Sequence, residues 1–117
     1  MTFDQGDVVL IPFPFTDLSA TNLSATKRRP VLVLSNSSYN RRSQDFIVCG
    51  ITSVIAARPN SVTLRATDME NGKIPVESRI RPDKMFTLKQ TLAVKKIGRV
   101  KPDVIAHVTS EIMKIIA

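Results

Sequence analysis

The stretch Gly6-Asp7-Val8-Val9-Leu10-Ile11-Pro12-Phe13-Pro14-Phe15, followed after a polar loop by Arg28-Arg29-Pro30-Val31-Leu32-Val33-Leu34-Ser35, decides how this chain folds. Val8, Leu10 and Pro12 alternate along residues 7–15, while Pro12 and Pro14 each remove a ladder donor, so a bent or edge strand is expected there. Residues 31–35 form a short continuous apolar run of the buried-strand kind. Between them, residues 16–27 are small and polar and repeat Leu-Ser-Ala-Thr at 18–21 and 23–26, which reads as a flexible insertion. The second strand opens on an arginine pair at the loop's exit. A basic group on a rigid strand edge beside a flap is how a small barrel presents an anion site.

Downstream, residues 36–40 cluster turn formers, and Arg41, Arg42 and Ser43 continue that turn into a strand over 45–52, giving a hairpin. Residues 61–65 alternate as a short fourth strand. Asn71-Gly72 supplies a tight turn, after which 74–81 reads as a fifth strand that stops at Pro82. Residues 85–88 and 94–100 are shorter extended segments. This spacing predicts a small, strongly bent antiparallel barrel. The period then changes: Val104, Ile105, Val108, Ile112, Ile115 and Ile116 share one helical face, with Pro102 suited to the first helical position and Asp103 to the positive end of the dipole. The fold class is therefore mainly β, a barrel closed by a C-terminal helix.

At 117 residues, 43% of them apolar, the chain is expected to be one domain, 1–117, with a core that needs no staples. Seventeen Lys and Arg against ten Asp and Glu give a net charge of +7, which favours a polyanionic partner such as nucleic acid. No segment approaches the roughly 18 apolar residues of a membrane span, and the N-terminus lacks a leader pattern, so a cytoplasmic location is expected. Cys49, the single cysteine, cannot form an internal disulfide and sits in an apolar run as a buried hydrophobe. With one Cys and one His there is no tetrahedral metal cluster, and neither metal nor cofactor is expected.

Five blocks in order resemble the MazF/PemK/Kid family of bacterial toxins. They are Gly6-Asp7-Val8-Val9; Arg29-Pro30-Val31-Leu32-Val33-Leu34-Ser35 with Tyr39-Asn40; Gly50-Ile51-Thr52-Ser53; Ile80-Arg81; and Lys96-Ile97-Gly98-Arg99-Val100. The resemblance implies an SH3-like barrel with a C-terminal helix, a homodimer, and metal-independent, sequence-selective cleavage of single-stranded RNA. It also implies a cognate antitoxin whose extended acidic tail occupies the RNA groove. Metal-free RNA cleavage uses the neighbouring 2′-hydroxyl as nucleophile, so the protein supplies a base, an acid for the leaving 5′-oxygen and cations for the phosphorane.

On that resemblance Arg29 and Thr52 are the catalytic candidates. The planar fork of Arg29 suits two phosphate oxygens, and the Thr52 hydroxyl suits one. Arg28, Lys27, Ser53, Arg81 and Glu77 are the RNA-binding candidates, and Arg41 and Arg42 could extend the basic surface. Two positions at which some members carry an acid are here Ser24 and Ser78, and the flap holds no histidine. Glu77, beside Ser78, would need a bulge near Pro82 to turn it inward, and His107 reads as a helix residue. The competing readings are a non-catalytic RNA- or antitoxin-binding barrel and a gyrase-poisoning toxin acting through its C-terminus.

Overall fold

A computed structural model describes residues 2–12 and 27–117. Seven strands occur in the order β1 (Asp7–Pro12), β2 (Arg28–Val33), β3 (Asp45–Thr52), β4 (Val62–Leu64), β5 (Met69–Gly72), β6 (Ser78–Lys89) and β7 (Lys95–Val100), with helices α1 (Ser37–Arg42) and α2 (Pro102–Ile116). Residues 13–15 of the expected first strand and most of the flap, with its repeat, lie outside the described residues.

The strands form one antiparallel sheet in the order β4-β6-β3-β2-β1-β7-β5. Its two edge strands, β4 and β5, are neighbours in sequence: from Leu64 to Met69 the chain can span at most about 17 Å. The sheet therefore has to curl until its edges approach, which produces the bent half-barrel that the strand spacing predicts.

Both faces of the sheet are buried, so the central strands read as runs of apolar residues. Val8, Leu32, Cys49, Ile51, Leu64, Ile80 and Val100 fill one core together with Val104 and Val108 of α2. Val9, Ile11, Val31, Val33, Phe46 and Val48 fill a second beneath Phe3. Cys49 is fully buried, and desolvation pushes its thiol up to about 12.

Three expectations change. The turn after β2 is a six-residue helix, α1, because the Asn36 side chain caps it by accepting from the Tyr39 N–H. The Asn71-Gly72 pair ends a strand paired with β7. Gly72 (φ 72°) is needed because a Cβ there would sit 2.2 Å from the Ile97 carbonyl oxygen. Pro82 does not stop its strand: β6 runs on to Lys89, since the ladder breaks at this point. Cys49 pairs with Met85 but Gly50 pairs with Arg81, leaving Pro82, Asp83 and Lys84 without partners on β3, where a missing N–H costs nothing. On α2 the apolar stripe outruns the sheet, and Ile115 and Ile116 are exposed.

A buried polar knot ties the N-terminus to the sheet. The Asn40 amide donates to the carbonyls of Phe3 and Ser35 and accepts from the Ser35 hydroxyl. The Gln90 amide accepts from the Phe3 N–H and donates to the carbonyls of Asn40, Ser43 and Asp45. Asn40→Ala leaves two buried carbonyls and a hydroxyl short of partners, for an expected loss of about 2–4 kcal/mol. Urea denaturation checks this, as a lowered midpoint at unchanged slope.

Candidate functional site

The second core's face of the sheet changes character toward one end. Val31, Val48 and Phe46 are followed on that face by Arg29 on β2 and by Gly50 and Thr52 on β3. The Gly50–Arg81 pairing brings Arg81 of β6 to the same place. These residues, with Lys84 from the looped-out segment, line a cleft of about 160 Å³ floored by Pro30 and Ile51. A Cβ at Gly50 would lie 3.5 Å from the Lys84 Cβ, in ordinary van der Waals contact.

Three of the residues marked in the sequence, Arg29, Thr52 and Arg81, thus line one cleft. Thr52 accepts from the Val54 N–H at 3.1 Å, which orients its oxygen and leaves its proton to donate. The other candidates fall outside the cleft lining. Lys27, Arg28 and Ser53 are exposed neighbours of it in sequence. Glu77 pairs with Arg65 at 3.3 Å on the open surface, where such a bridge is worth little. Ser78 is buried and donates to the Val76 carbonyl. Arg41 and Arg42 ride on α1, which packs near the Asp45 end of β3, so they do not extend the cleft's basic surface. His107 is exposed on α2.

The structure also supplies a carboxylate that sequence reading passed over. The break in β6 turns Asp83, and not Glu77, toward the cleft's arginine. Arg81 donates from Nε at 2.9 Å and from a terminal nitrogen at 2.7 Å to the two Asp83 oxygens, the fork geometry of a strong guanidinium–carboxylate pair. These hydrogen bonds and the adjacent charge hold the Asp83 carboxyl below its ordinary range and raise the Arg81 guanidinium. An Arg-Pro-Asp-Lys run after an apolar strand was the available signal, obscured because Pro82 looked like a strand end. Lys84 was missed for the same reason.

Arg29 and Lys84 make no ion pair among the described residues, so the cleft keeps two uncompensated cations beside one hydroxyl and one neutralised arginine. No group of three or more His, Cys, Asp or Glu among the described residues could hold a metal ion. What the arrangement can do is grip a phosphate from several sides with an ionised carboxylate nearby.

Comparison with known proteins follows the same line. The sequence model of one family, described as PemK-like, MazF-like toxin of type II toxin-antitoxin systems, matches residues 4–116. No curated protein matches. Among solved structures, a MazE-MazF crystal structure from Deinococcus radiodurans (Form-III) is similar at 25% identity and a TM-score of 0.77, over 98% of this chain and 96% of that one. An endoribonuclease in complex with its cognate antitoxin from Mycobacterial species is similar at 18% identity and a TM-score of 0.74, over 96% and 92%. The Mycobacterium tuberculosis toxin MazF-mt6 is similar at 17% identity and a TM-score of 0.70, over 92% and 93%. At such identities the last two speak for the fold alone.

Because the Asp83 carboxyl is held low in the folded chain, the pair's stabilisation is present at neutral pH and is lost as pH falls through that lowered range. An acid titration followed by carboxyl-carbon NMR is expected to show Asp83 titrating below a typical aspartate. Arg81→Ala is expected to move it back up; the same titration in both proteins contradicts the pairing.

Proposed function

The chain belongs to the PemK-like, MazF-like toxins of type II toxin-antitoxin systems, and from that premise we propose that it is a single-domain, metal-independent endoribonuclease acting on single-stranded RNA in the cytoplasm. The observation that carries this reading is the convergence of Arg29, Thr52, Arg81 and Lys84 on one small cleft, with Asp83 bound to Arg81. A phosphodiester is an anion of a size the cleft can grip, and RNA brings its own nucleophile in the 2′-hydroxyl. No serine or cysteine triad is needed, and Cys49, buried and protonated, takes no part.

In this reading Arg29 and Lys84 offset the charge that builds on the phosphorane, and the Thr52 hydroxyl donates to one of its non-bridging oxygens. Asp83 accepts the 2′-hydroxyl proton. Its lowered pKa keeps it ionised at neutral pH, in the form that can accept this proton. Arg81 holds Asp83 in place. The bond from phosphorus to the 5′-oxygen breaks as that oxygen takes a proton from water, leaving a 2′,3′-cyclic phosphate and a 5′-hydroxyl, and Asp83 returns its proton to solvent.

The related structures named above hold MazF with MazE, or an endoribonuclease with its cognate antitoxin. On that likeness this chain takes an antitoxin of its own, and its net charge of +7 suits an acidic one. A homodimer, also expected from the resemblance, would set two clefts on one particle. Among the described residues no helix is long and apolar enough to cross a membrane.

The test is incubation of the purified protein with a mixed single-stranded RNA in EDTA, with the ends mapped. Cleavage leaving 5′-hydroxyl ends is expected, with Arg29→Ala lowering kcat/KM by about 10²–10³ and Asp83→Asn by about 10²–10⁴. An intact RNA pool contradicts the enzyme reading and favours a non-catalytic binder; full activity in Arg29→Ala contradicts the assignment of Arg29.

A further inference from the structure

Thr52 and Arg81 serve two cavities. Besides the cleft, they line a second one of about 210 Å³, completed by Arg58, Arg79 and the small apolar residues Val54, Ala56 and Ala57. Arg79 and Arg81 lie two apart on β6, so they stand on the same face about 6–7 Å apart along the strand, a step comparable to one nucleotide of extended single strand.

The charges in the second cavity are arranged differently from those in the first. The Arg81 charge is matched by Asp83. Arg79 is held by neutral acceptors only: one terminal nitrogen donates to the Ser61 hydroxyl at 3.0 Å and the other to the Ile55 carbonyl at 3.2 Å. Its Nε is buried with no hydrogen-bond partner. The guanidinium is thus fixed in direction, with its charge unneutralised. Arg58 likewise makes no ion pair among the described residues.

Arg58 is also placed by structure. It precedes a turn in which Asn60 adopts φ 61°, a left-handed conformation that asparagine tolerates. The Arg58 carbonyl accepts from the Ser61 N–H at 3.3 Å and from the Ser61 hydroxyl at 2.6 Å. Ser61 therefore sets the backbone of one arginine while it orients the side chain of the other. Arg79, held in direction, and Arg58, its backbone set by the same serine and its side chain without an ion pair, place two cations at a cavity with a small-residue rim, a site for an anion.

We infer that this second cavity is a phosphate subsite for the nucleotide adjoining the scissile phosphate, with Arg58 and Arg79 as its ligands. The inference rests on the ribonuclease reading above. The source of the anion is assigned to RNA because the cavity shares Thr52 and Arg81 with the cleft, so a strand gripped in one presents its next phosphate to the other. The protein thereby binds at least two successive phosphates and prefers RNA that extends beyond the cut on one particular side.

The test uses an oligonucleotide carrying the mapped cut site, with a neutral methylphosphonate replacing one phosphate at a time on either side of the cut. One of the two adjoining positions is expected to lower kcat/KM by about tenfold or more, the worth of a charge-assisted contact. Arg58→Ala is expected to cause a similar loss with the all-phosphate RNA and little further loss with that methylphosphonate. Arg79→Lys should behave likewise, and each substitution should reduce the salt dependence of binding by about one phosphate contact. Binding is read by fluorescence anisotropy on the same oligonucleotide with a 2′-deoxy nucleotide at the cut.

Cleavage that is indifferent to methylphosphonates at both adjoining positions overturns the subsite and leaves the ribonuclease reading standing. If no RNA is cleaved at all, the reading fails and the subsite fails with it. If Arg58→Ala leaves RNA binding intact but weakens binding of an aspartate- and glutamate-rich peptide, the cavity serves a protein carboxylate, and the proposal is overturned.

Discussion

The break in register between β3 and β6 is the constraint on which the rest depends. Three residues of β6 have no counterpart on β3, and three is odd, so every side chain beyond the break changes face. Ile80, before it, therefore lies in one core with Ile51, while Phe86 and Leu88, after it, pack on the other with Val48 and Phe46. On an unbroken strand Ile80, Phe86 and Leu88 would share a face, and one of the two cores would lose its cover. The same three residues bring Lys84 to the cleft and Asp83 to its arginine. Packing and site arise from one irregularity.

Much of this was legible in advance, and for physical reasons. β3 matches the expected 45–52, since an unbroken apolar run between polar residues has few alternatives. α2 begins where Pro102 and Asp103 place it. Arg29, Thr52 and Arg81 converge because strand pairing carries a linear pattern into a local one. What escaped has no local signature. α1 is six residues, four of them weak helix formers, held by the Asn36 cap and the buried contacts of Asn40. Gly72 answers to a backbone 26 residues away, at Gly98. Asp83 belongs to the site only because of a bulge, and a bulge is set by the partner strand. Glu77 looked the better candidate in one dimension, while in three it belongs to a surface pair.

The distribution of charge completes the design. The acids of the N-terminal region are already engaged: Asp7, buried, receives Arg99 at 3.0 Å and Lys96 at 3.2 Å, and Asp4 receives the other arm of Arg99 at 3.0 Å. Glu111 takes Lys114, and Glu77 takes Arg65. Arg29, Lys84, Arg58 and Arg79, left without carboxylates among the described residues, lie along the same pair of cavities. Four cations that make no ion pair among the described residues thus line two adjoining cavities, where an anion can be gripped.

The buried cysteine bears on how such a molecule could be controlled. Cys49 has no access to solvent, and its thiol stays protonated far above neutral pH, so oxidants and thiol-exchange partners have no foothold on the folded chain. No second cysteine exists to form a bridge. A thiol-based redox signal has no purchase on the folded chain, and the levers that remain include those that work from outside: occupancy of the cavities by a partner, and the rates at which the chain and that partner are made and destroyed.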